Sequence, residues 1–101
     1  MAFEDSKMMR VGEVAERLQI HKASVFKWAQ RGEFPPPIKI HCRLSAWPEE
    51  EVETIRAAYI AGADKDEIKE LVKRLREARA RHYEALKRLT KTDKQPENET
   101  E

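Results

Sequence analysis

Apolar residues recur along the first two thirds of the chain with a helical period, are interrupted by prolines, and then resume. Val11, Val14, Ala15 and Leu18 lie at helical spacing, with Gly12 placed as a cap and Glu13 in the first turn. They predict a first helix over 13–18. Gln19, Ile20 and His21 form a turn, with Ile20 apolar enough to plug the space between two helices. A second helix follows over 22–30 and stops at Gly32. On a wheel of about 100° per residue, Val25, Trp28 and Ala29 face the first helix. Ala23, Phe26, Lys27 and Gln30 fall on the other side, with Lys22 and Ser24 at its margins.

Pro35, Pro36 and Pro37 end any helix and impose an extended path. Two short strands, 38–40 and 43–45, flank His41 and Cys42 at hairpin length, although His-Cys lacks hairpin turn chemistry. A third helix then has Pro48 in its first turn, three glutamates on its positive end, and a buried stripe of Val52, Ile55, Tyr59 and Ile60. Gly62 closes it. Asp64 and Glu67 have capping-box spacing and open a long helix to about residue 89. Its stripe of Ile68, Leu71, Leu75, Ala78, His82, Ala85 and Leu89, widened by Val72 and Leu86, must pack on something, either its own domain or a second copy.

This order predicts a mainly α fold: a winged helix-turn-helix with a small two-stranded wing, plus a long C-terminal helix. The expected organisation is a DNA-binding domain over 8–62, a helix suited to oligomerisation over 63–90, and a polar, acidic, disordered tail over 91–101.

Charge sharpens the picture. The formal net charge is only +1, but 7–47 holds eight Lys/Arg against three Glu, while 48–63 holds one Arg against four Glu. The basic surplus therefore coincides with the helix-turn-helix, as a polyanionic partner requires. A single cysteine, Cys42, forms no internal disulfide or thiolate cluster, which fits a reducing cytoplasm. His21, His41, Cys42 and His82 lack metal-ligand spacing, no Gly-rich phosphate loop occurs, and no run approaches the ~20 apolar residues of a membrane span. A non-enzyme without metal or cofactor is expected.

The segment 9–61 resembles the AlpA-like regulators and excisionases of prophages and integrative elements, which have a MerR-like winged helix. The resemblance rests on the first helix, Ser24-Val25-Phe26-Lys27, Gly32-Glu33-Phe34-Pro35, the basic wing residues, and Trp47 leading to Glu51-Val52. It implies that Ala23, Ser24 and Lys27 face base edges, and that Lys22, Arg31, Lys39, His41 and Arg43 mainly neutralise phosphate, the last three from the wing. Phe26 stands where the family has Tyr and would offer a thymine methyl or a sugar apolar contact. Gln19 stands where the family often has Gly, and His41 replaces a wing-tip Gly. The implied partners are duplex DNA, further copies of the chain on the site, and a recombinase or RNA polymerase. Two other readings share the pattern: a small terminase-like DNA-packaging subunit, and a protein-interaction module acting through the C-terminal helix.

Overall fold

The computed structural model describes residues 7–41 and 44–100, with side chains described to residue 89. Seven elements follow one another: β1 (Met8–Arg10), α1 (Val11–Leu18), α2 (Lys22–Gln30), β2 (Ile38–His41), β3 (Leu44–Pro48), α3 (Glu49–Ile60) and α4 (Lys65–Thr100). The three strands form one antiparallel sheet in the order β1-β3-β2. The sheet is thus one strand larger than the two-stranded wing expected from sequence. Met8–Arg10 is too short to show a period, yet its middle residue Met9 is buried opposite Trp47, and that register makes it a strand. β3 consequently lies between two partners, which is why Ala46, Trp47 and Pro48 are all buried and the strand runs further than 43–45.

Helix α1 begins earlier than expected. Arg10, not Gly12, is its N-cap, because the Glu13 carboxylate reaches back to accept the Arg10 backbone N–H at 3.0 Å. At its other end Gln19 adopts φ 62° and ψ 44°, the left-handed conformation usually left to glycine. Two amides close the turn there, Ile20 N–H donating to the Ala15 carbonyl and the Gln19 side-chain amide to the Glu16 carbonyl. This fixes the angle between α1 and α2.

The core joins Met9, Val14, Val25, Phe34, Trp47, Val52 and Ile55 to Ile68 and Val72 of α4. The first part of the long helix therefore packs on its own domain. Further along, Ala85, Leu86 and Leu89 are exposed, as is Tyr83 beside them, so the predicted stripe is buried at one end only. The helical backbone also continues to Thr100, past residue 89 and through Pro96. In α3, Val52 and Ile55 are buried as expected, but Ile60 is 71% exposed because the helix ends beyond the edge of the core.

The segment 33–36 connects α2 to the sheet and poses a hydrogen-bonding problem. Prolines bring no N–H, so they cannot join a ladder, yet their carbonyls still need donors where buried. Three side chains from three elements supply them. Tyr59 Oη–H of α3 donates to the Glu33 carbonyl at 3.1 Å, Trp47 Nε1–H of β3 to Pro35 at 2.7 Å, and Arg79 Nη2–H of α4 to Pro36 at 2.9 Å. Arg79 also forms a bidentate pair with Glu51, Nε to Oε2 at 2.8 Å and Nη2 to Oε1 at 2.5 Å. The Glu51 side chain is only 1% exposed, so this pair compensates a buried charge.

Two predictions follow from these contacts. Arg79→Met strands the Glu51 carboxylate and should cost about 3–5 kcal/mol in urea unfolding, while Glu51→Met with Arg79→Met should recover a large part of that loss. At the α1–α2 turn, Gln19→Val should destabilise by about 1–2 kcal/mol, since a β-branched residue tolerates the left-handed region poorly. Gln19→Gly should be neutral or stabilising in the same urea unfolding.

Candidate nucleic-acid interface

Helix α2 has one buried side chain, Val25, and it anchors the helix while its opposite face stays open. Lys22, Ala23, Phe26, Lys27 and Gln30 are exposed, and Ser24 is half-buried at the margin of that face. His21 caps the helix through backbone alone, with its carbonyl accepting from Ser24 N–H at 2.9 Å and no side-chain bond to the first turn. The first turn also lacks an acidic residue, so the positive end of the helix remains electrostatically uncompensated by its own sequence. Arg31 is exposed at the C-cap.

Across the connecting segment, β2 presents Lys39, Ile40 and His41, all exposed. Simple alternation would turn Ile40 inward. The register instead pairs Lys39 with Ser45 and His41 with Leu44, so Ile40 is the extra residue of a bulge and is 51% exposed. Arg43, assigned to the wing from sequence, lies outside the described residues, as does Cys42.

Several cations are held by carboxylates. Arg17 pairs with Glu49 and Glu53, Arg56 with Glu53, Lys7 with Glu13, and Arg79 with Glu51. Among the described residues no ion pair engages Lys22, Lys27, Arg31 or Lys39. Arg17 of α1 and Arg56 of α3 are thus paired, as are some cations of α4, while Lys22, Lys27, Arg31 and Lys39 direct their field at solvent. Such a surface suits a polyanion.

Between α2 and the prolines lies a cleft of ≈340 Å³ lined by Phe26, Ala29, Gln30, Pro36 and Pro37. Phe26 is 39% exposed, yet its ring leans on buried Trp47 with centroids 5.7 Å apart, and Phe34 supports Trp47 from another side at 6.0 Å. Sequence reasoning placed Gln30 on the open face without giving it a role, and did not foresee the cleft or the exposure of Ile40. The cleft depends on prolines whose position relative to α2 is a tertiary property, and the bulge has no turn signature in His-Cys.

The described residues contain no group of three His, Cys, Asp or Glu side chains able to hold a metal ion, and no helix long and apolar enough to cross a membrane.

A helix-turn-helix whose second helix is open to solvent beside a three-stranded sheet defines a winged helix-turn-helix fold. The family described as prophage CP4-57 regulatory protein (AlpA) matches residues 7–54, and this region of the chain is AlpA-like. The matched stretch holds both helices of the motif, all three strands and the start of α3, but not α4. No curated protein and no solved structure matches the chain.

Lys27 offers a direct probe of the face. If its ammonium reads a base, Lys27→Ala should weaken binding to the preferred duplex by roughly 1–3 kcal/mol and relax preference at one position. An equal loss on every duplex, with a shallower salt dependence, would instead assign Lys27 to phosphate.

Proposed function

We propose that the protein binds duplex DNA sequence-specifically, as a transcriptional regulator or an excisionase-type factor of a prophage or integrative element. The observation that carries this reading is the set of exposed cations on α2 and β2. Among the described residues Lys22, Lys27, Arg31 and Lys39 are exposed on α2, its C-cap and β2 without carboxylate partners, whereas Arg17 of α1 and Arg56 of α3 are paired. The regulatory character of the AlpA family supports it. In this reading Ala23, Ser24 and Lys27 approach base edges from α2, while Lys22, Arg31, Lys39, His41 and Arg43 hold the backbone.

One domain of this size covers a short site, and tight specific binding then calls for several copies. The distal part of α4 is the element suited to join them, since Tyr83 and Leu89 stand 62% and 67% exposed there. A recombinase or RNA polymerase completes the set of partners for such a factor.

Selection of bound duplexes from a random pool at roughly physiological salt tests both points. A repeated enriched motif is expected, bound cooperatively by the native chain and without cooperativity by a Tyr83→Glu, Leu89→Glu variant. Binding without enrichment would overturn sequence-specific regulation and favour an architectural or packaging role.

A further inference from the structure

Resting on the DNA-binding reading, we propose that the cleft between α2 and Pro36-Pro37 is a seat for the 5-methyl group of thymine, with Phe26 as its aromatic wall and Gln30 reading an adjacent adenine. The cleft opens on α2, the helix that carries exposed Lys22 and Lys27 and is capped by exposed Arg31, so a polyanion docked on those cations would lie over it. Its lining, however, is carbon: the Phe26 ring, the Ala29 methyl and the rings of Pro36 and Pro37. Neither proline offers an N–H, and the Pro36 carbonyl is already occupied by Arg79.

A polyanion that places carbon against this wall must present an apolar group on its recognition surface. In the major groove of duplex DNA that group is the thymine methyl. The wall is also rigid. Phe26 cannot fold inward, because Trp47 fills the space behind it and is itself held by its bond to the Pro35 carbonyl. An exposed ring fixed in this way loses little conformational freedom when it is covered.

Gln30 completes the chemistry. It is the polar member of the lining, one helical turn beyond Phe26 on the same face. A primary amide carries a donor and an acceptor side by side, matching N7 and N6 of adenine. The same cleft therefore selects both members of A·T pairs, which the lysines of α2 do not.

The test uses the full chain and the duplex recovered by selection, with each thymine replaced in turn by deoxyuridine, which removes the methyl and leaves the sugar and base pairing intact. One replacement should weaken binding by about threefold to tenfold. Phe26→Ala should lose that sensitivity, Phe26→Leu should retain most of it, and Gln30→Ala should relax the A·T preference next to the sensitive thymine. Because Gln30 is exposed, its variant remains informative even if Phe26→Ala fails to fold. Specific binding that tolerates deoxyuridine at every position overturns the proposal while leaving the DNA-binding reading intact. So does a uniform loss on all duplexes by Phe26→Ala, which would place the ring on deoxyribose. Failure to bind any duplex would instead remove the reading on which the proposal rests.

Discussion

A proline carbonyl accepts hydrogen bonds although the ring brings no N–H to donate, and in this protein the side-chain donors that meet the carbonyls of one such connector organise the structure. Residues 33–36 leave α2 and lead to β2, and their carbonyls are met by Tyr59, Trp47 and Arg79, drawn from α3, β3 and α4. Each donor arrives from a different element, so the connector is tied to all three. The relative placement of α2 and the sheet is thereby set by side chains rather than by a backbone ladder. On the proposed DNA-binding reading, that placement sets how α2 and β2 meet one continuous partner.

Trp47 and Arg79 share this task in different ways. Trp47 is fully buried in the central strand, opposite Met9 and between the rings of Phe26 and Phe34, so its removal would leave both a void and an unmet carbonyl. Arg79 acts at greater distance along the chain. It brings α4 back onto the start of α3 and onto Pro36, and it neutralises a glutamate that nothing else in its surroundings is seen to balance. The AlpA-matched stretch ends at residue 54, yet Ile68, Val72 and Arg79 contribute to the core and to the clamp that holds it. In energetic terms, the first half of α4 is part of the domain.

This division gives the long helix two roles along its length. Up to Arg79 it is an internal element whose apolar residues and guanidinium face the domain, and beyond that point Tyr83, Leu86 and Leu89 leave the core behind. A helix fixed at one end transmits the orientation of its free end to its root. Its root is the clamp at Glu51 and Pro36, next to the start of β2.

The local features were legible in the sequence because they depend on neighbours within one or two turns. The span of α2 over 22–30, Val25 as its anchor, the proline-imposed extension, the Asp64–Glu67 capping box and the long helix all follow from spacing and side-chain type. The exposed cations of α2 and β2 were likewise recognisable, since charge is read directly from composition. Only the tertiary structure decided that Met8–Arg10 pairs with β3, that a bulge turns Ile40 outward, and that Ile60 overhangs the core. It alone decided, too, that Arg79 closes on Glu51, 28 positions away, and that Phe26, Gln30 and Pro37 enclose one cleft. These features depend on which segments meet across the chain, a matter of packing geometry and of finding donors for buried carbonyls that no local pattern encodes.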